Sequence, residues 1–106
     1  FLHGPLQLVD ERAPVYLYAT GREGFEASAK ALERIAGYRA PVILVGPGAS
    51  HFSSYAHQVI DLPDAGGEAT AIPLAKAAQL LAYHLSLSKG LNPDKPTKLT
   101  KVVKYP

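Results

Sequence analysis

Two short apolar runs limit most strongly what this chain can fold into. Pro41-Val42-Ile43-Leu44-Val45 contains no polar residue and is closed at once by Gly46-Pro47-Gly48. Pro14-Val15-Tyr16-Leu17-Tyr18-Ala19 repeats the pattern and is closed by Thr20-Gly21. Runs this short, rich in β-branched and aromatic residues and bounded by Pro and Gly, read as strands. Neither run alternates polar with apolar, so each asks for cover on both faces, as parallel strands between helices do.

Helical patterns follow the strands. Over residues 22–36, Phe25, Ala29, Leu32 and Ile35/Ala36 fall on one stripe, while Glu23, Glu26, Lys30, Glu33 and Arg34 fall largely elsewhere. Gly37 is the expected stop. A short helix is expected near residues 50–55, and a third strand at 58–62. The longest helix is expected over residues 70–89, with Gly90 as its cap. Its apolar positions, Ile72, Leu74, Ala75, Ala78, Leu80, Leu81, Ala82 and Leu85, cover more than one face, which predicts a buried helix. Near the start, Pro5 suits the first position of a short helix, with Leu6, Leu8 and Val9 inward. After Gly90, Pro93 and Pro96 enforce an extended tail.

Strands alternating with helices predict an α/β fold with a doubly wound parallel sheet. Three strands make a thin sheet, so further strands are expected N-terminal to Phe1, and the chain reads as a truncated part of a larger domain. Its 106 residues, 47% hydrophobic and 19% charged, suffice for a core and exclude a disordered chain. There is no Cys, which excludes disulfides and thiolate metal sites and is compatible with a cytoplasmic location. No apolar run approaches the roughly 18 residues that would span a bilayer. The net charge of +2 is uneven: residues 1–88 hold six Lys/Arg against eight Asp/Glu, and residues 89–106 hold five Lys and one Asp. A basic tail can meet phosphate, or simply be a solvated end.

Few residues invite chemistry. His3-Gly4-Pro5 sets a histidine beside a rigid turn, where an unperturbed pKa of about 6.5 suits proton transfer. A surface histidine is the plainer alternative. Gly46-Pro47-Gly48-Ala49-Ser50 follows a strand, where a phosphate loop would sit. His51 takes the third glycine's place and no G-K-[ST] follows, so a tight turn is expected instead. His51 and His57 lie six apart, a poor metal pair, and no carboxylate completes a zinc site. His84 is expected as a hydrogen-bonded packing residue. Ser50, Ser53 and Ser54 lack a nucleophile-elbow context. The aromatics are expected mostly in the core rather than as base-stacking platforms. Lys101, in Leu99-Thr100-Lys101-Val102-Val103, is one of five lysines in residues 89–106. A lysine amine can form a Schiff base with a sugar carbonyl where its surroundings lower its pKa.

Three stretches together carry a resemblance. His3-Gly4-Pro5-Leu6, then Gln79-Leu80-Leu81-Ala82-Tyr83-His84, then Gly90-Leu91-Asn92-Pro93-Asp94-Lys95-Pro96 with Leu99-Thr100-Lys101-Val102 resemble the sugar isomerase (SIS) domain family. The likeness is to the second SIS half of glucosamine-6-phosphate synthases and of SIS-type glucosamine-6-phosphate deaminases and fructosamine-phosphate deglycases. It spans the whole chain, and its motifs are specific only in combination.

The resemblance implies a flavodoxin-like three-layer sandwich, residues 1–89 being the C-terminal part of a SIS domain and residues 90–106 a tail that covers the active site. It implies that His3 opens the cyclic sugar by moving protons at the ring, from a neighbouring subunit, and hence a homodimer. It implies that Lys101 contacts the open-chain sugar. The substrate class is a phosphorylated sugar or amino sugar. No metal or organic cofactor, no nucleic acid and no membrane are expected. The family's phosphate loop and proton-moving glutamate lie N-terminal to this segment, and neither Glu11 nor Glu68 replaces the glutamate. This stretch alone is therefore expected to be inactive. Asn92-Pro93-Asp94-Lys95-Pro96 departs from the synthase pattern toward the deaminase and isomerase branch. The alternatives are a phosphosugar-sensing SIS module of a regulator, and a generic doubly wound domain that binds nucleotide or nucleic acid.

Overall fold

The computed structural model describes residues 4–95. The chain divides into two compact units, residues 1–74 and 75–106. The first holds a three-stranded parallel sheet in the order β1-β2-β3: β1 is Val15–Tyr18, β2 Val42–Gly46 and β3 Gln58–Asp61. Val15 pairs with Val42, and Ile43 with Gln58. The fold class is α/β with parallel strands, as the alternation of elements predicts.

Helix α1, Arg22–Gly37, buries the predicted stripe at Phe25, Leu32 and Ile35. Arg22 and Glu26 pair at 3.0 Å on its exposed side. Such an exposed i,i+4 pair stabilises a helix by about 0.3–0.5 kcal/mol, so burial of the stripe dominates. Gly37 is the last helical residue, but the left-handed turn that ends the helix falls on Arg39, at φ 60.

The core lies between α1, the sheet and two 3-10 helices, Pro5–Leu8 and Ala49–Tyr55. Phe25, Leu32, Val42 and Leu44 are fully buried in it. Phe25 meets Phe52 with ring centroids 5.4 Å apart. Ile43 and Val45 alternate to the other face of β2 and are buried as well. β2 thus meets the expectation of cover on both faces. β1 does not: Val15, Leu17 and Tyr18 are half-buried and Tyr16 is 38% exposed. β1 lies at the sheet edge, where an apolar sequence finds only part of the cover that it asks for.

Leu8 also departs from expectation and is exposed, while Leu6 and Val9 are buried. In a 3-10 turn, positions three apart share a side, which joins Leu6 to Val9 and excludes Leu8.

Helix α2, Ala71–Ser88, begins in the first unit and continues into the second. A Gly67–Thr70 3-10 turn leads into it. There, buried Thr70 donates its hydroxyl to Asp64 Oδ1 at 3.2 Å, and the Gly66 N–H reaches the same oxygen at 2.9 Å. The helix ends as its sequence predicts. Gly90 takes φ 71, and the Leu91 N–H reaches back to Ser86 O at 2.9 Å. That six-to-one bond closes the helix C-terminus. The expected burial does not hold. Only Leu74 is buried, and Ile72, Leu80, Tyr83, Leu85 and Leu87 are exposed. A helix apolar on several sides needs apolar neighbours on each of them, and among the described residues α2 finds full cover at Leu74 alone.

Candidate functional site

The C-terminal ends of parallel strands are where ligands meet an α/β sheet. At that end β2 closes on Gly46, which stands in register with Asp61, the last residue of β3. The turn beyond β2 requires glycine twice. Gly46 has φ 147 and Gly48 has φ 77. A Cβ on Gly46 would also overlap the carbonyl oxygen of Ala19 and lie 3.3 Å from the Phe25 ring. The first turn of α1 sits tightly there too, since a Cβ on Gly24 would lie 2.9 Å from that of Ala19.

Asp61 organises this turn. Its Oδ1 accepts the Gly48 N–H at 2.9 Å. Its carboxyl is held below the ordinary carboxylate range, first by the Ser50 side chain; desolvation opposes this, and the backbone of Gly48 and Ser50 and nearby His51 add to the lowering. The Gly48 amide that a phosphate would need is therefore taken by the protein's own carboxylate, whose charge would repel a second anion. The expectation of a tight turn rather than a phosphate loop at residues 46–50 agrees with this geometry.

The histidines are kept apart. His51 lies at the end of the sheet beside Gly48, with Nδ1 3.3 Å from Gly48 O. His57 lies at the opposite end, beside the first residue of β2. Its Nδ1 accepts the Val42 N–H at 3.1 Å, and the His57 backbone N–H donates to Val42 O at 2.8 Å. The length of β2, about 13 Å of strand, separates the two ends. Among the described residues no group of three or more His, Asp or Glu could hold a metal ion. His51 Nδ1 lies against Gly48 O, and among the described residues it forms no hydrogen bond to a serine hydroxyl.

His84 is exposed and meets Tyr83 edge-on, with ring centroids 5.3 Å apart; it is not the packing residue that its apolar helix suggested. Nor do the tyrosines all serve the core: Tyr16, Tyr38 and Tyr83 are exposed, while Phe25 and Phe52 pack inside. Asp61 was not anticipated. Its signal is an acidic residue at the end of an apolar strand, in register with the glycine that ends the neighbouring strand. His3 and Lys101, on which the resemblance places the chemistry, lie outside the described residues.

The structure thus defines a part of a parallel α/β domain whose C-terminal sheet edge is tied down by its own carboxylate. No family model matches the chain. Curated relatives do, over 95% of its length. It is 38% identical to a glutamine–fructose-6-phosphate aminotransferase (isomerizing) of Aeropyrum pernix over 104 residues. It is 34% identical over 103 residues to the protein of that name from Bradyrhizobium diazoefficiens. It is 33% identical over 104 residues to "Glutamine--fructose-6-phosphate aminotransferase [isomerizing] 1" of Arabidopsis thaliana. The chain spans only 15–17% of the length of these relatives. It is similar to one part of isomerising aminotransferases. No helix among the described residues is long and apolar enough to cross a membrane.

Proposed function

We propose that this chain is the C-terminal part of an amino-sugar-phosphate isomerase or isomerising aminotransferase, converting sugars of the fructose-6-phosphate and glucosamine-6-phosphate type. The observation that carries the proposal is the similarity over 95% of the chain to proteins named for that reaction. The parallel α/β sheet and the His3-Gly4-Pro5 and Lys101 motifs support it.

In this reading residues 1–89 belong to the sugar-binding domain and residues 90–106 form the tail that closes over the sugar. Closure excludes water and positions the substrate. His3 moves protons during ring opening, a task suited to an imidazole near neutral pH. Lys101 meets the open-chain carbonyl, with which an amine can form a Schiff base. The phosphate site and the base for the C1–C2 proton come from polypeptide outside this stretch. The occupied amide at Gly48 supports that division. The protein works as a cytoplasmic homodimer without metal or organic cofactor.

The test is turnover by the intact protein with fructose-6-phosphate and glutamine or ammonia, and in reverse with glucosamine-6-phosphate. Isomerisation in either direction supports the proposal, and release of ammonia without use of glutamine would place the protein among the deaminases. Tight binding of either sugar phosphate without turnover would overturn it in favour of a sensing module.

A further inference from the structure

The turn that leads into α2 has little packing of its own. After β3 the chain passes Leu62 and Pro63 to Asp64, then Gly66 and Gly67, whose φ values of 82 and 52 are both positive. A Cβ on either glycine would meet nothing within 4 Å. Glycine is required there by backbone shape and not by a close neighbour. One oxygen gathers the turn. Asp64 Oδ1 accepts the Gly66 N–H at 2.9 Å and the Thr70 hydroxyl at 3.2 Å. Thr70 is wholly buried, the only buried polar side chain among the described residues. A buried hydroxyl without an acceptor is costly, so Thr70 needs Asp64 as much as the turn does.

Helix α2 starts at the next residue, Ala71. Leu74, one helical turn beyond Thr70, is the only buried residue of that helix among the described residues. Two neighbouring anchors, Thr70 and Leu74, thus hold one end of a helix about 27 Å long. A rod of that length turned by about 10° at one end moves by about 5 Å at the other. Beyond the far end come Gly90 and the segment that carries Lys101. The Asp64 turn also leaves β3 at its C-terminal end, where ligands meet an α/β sheet.

We propose that Asp64 and Thr70 are positioning residues for the reaction. Their hydrogen bond fixes the direction in which α2 starts, and through α2 the place from which the Lys101 segment approaches the sugar. The role toward the sugar rests on the functional reading above; the role toward the helix rests on the Asp64–Thr70 bond alone. Without the bond the start of α2 takes several directions, and only some of them deliver Lys101. Turnover then falls, while the sugar phosphate still binds through groups outside this stretch.

Four variants of the intact protein test it. Asp64→Ala and Thr70→Val remove the bond, the second with little change of shape. Asp64→Asn and Thr70→Ser keep an acceptor oxygen and a hydroxyl in place. Spin labels at the exposed positions Lys30 and Lys89 report the direction of α2, with labelled protein diluted into unlabelled so that pairs within one chain are read. Their distance distribution is expected to shift or broaden in Asp64→Ala and Thr70→Val and to match wild type in the other two. With fructose-6-phosphate, kcat is expected to fall about 10- to 100-fold in the first pair, the scale of a misplaced group. KM should stay within about twofold of wild type, and kcat should recover in Asp64→Asn and Thr70→Ser. His57→Ala weakens the opposite end of the sheet and is expected to keep its kcat. A fall there equal to that in Thr70→Val would reduce the effect to lost stability and overturn the proposal. An unchanged distance distribution in both Asp64→Ala and Thr70→Val would overturn it, and so would an altered distribution with unchanged kcat. A wild-type protein without turnover would sink the functional reading instead, and the distances alone would then decide the role toward the helix.

Discussion

Asp61 at the end of β3 accepts the Gly48 N–H at 2.9 Å and so ties the turn after β2 to the neighbouring strand. A turn with two glycines at positive φ has little of its own to hold it, and the carboxylate supplies the acceptor that its amides need. The same contact occupies the Gly48 amide of a glycine-rich turn that stands in the usual place for a phosphate.

Asp61→Asn tests that contact through pH. The lowered pKa means that the bond stabilises the fold above the ordinary aspartate range and that this contribution is lost as pH falls through the depressed folded value. The variant is expected to melt below wild type at pH 7, and the difference to shrink as pH falls below the ordinary aspartate value of about 3.9. An unchanged melting temperature at pH 7 would contradict the assigned role.

Gly46 and Gly37 make a contrasting pair. Gly46→Ala places a Cβ against the Ala19 carbonyl at a φ of 147, and is expected to destabilise the protein by about 3 kcal/mol or more. Gly37→Ala meets nothing within 4 Å. At a helical position it should be neutral or stabilise by up to about 1 kcal/mol. Chemical denaturation of both variants in the intact protein measures the difference.

His57 serves the sheet through its ring acceptor. Because Nδ1 accepts the Val42 N–H, the proton of the neutral ring sits on Nε2. His57→Ala leaves that N–H without its partner and is expected to cost about 1 kcal/mol. Asn offers a carbonyl oxygen near the Nδ1 position, so His57→Asn should recover part of the loss. Equal losses in the two variants, read by denaturation, would show that the ring matters only by its bulk.

Much of this architecture is legible in the residues. The run from Val42 to Val45 announces a fully buried strand, and the Phe25–Leu32–Ile35 stripe announces the face that covers it. Gly90 marks the end of α2 because one residue there must turn left-handed. What depends on neighbours is less legible. Tyr16 and Leu17 read as a central strand but lie at an edge, and Ile72, Leu80 and Leu85 read as part of a buried helix but are exposed, since composition shows the demand for cover and not its supply. The bond between Asp61 and Gly48 joins residues thirteen apart and emerges only once strand register is known. His3 and Lys101 stand out through the family resemblance; the residues around them signal nothing unusual.

The central claim, that this stretch carries part of an amino-sugar-phosphate isomerase site, is tested most directly by His3→Ala and Lys101→Ala in the intact protein. Steady-state turnover of fructose-6-phosphate, together with binding of the same sugar, is the measurement. Loss of a positioned acid–base group typically costs about 10²–10⁴ in rate. Both variants are expected to lose turnover on that scale while the fold and melting temperature stay close to wild type. Near-normal turnover in both variants would contradict the account.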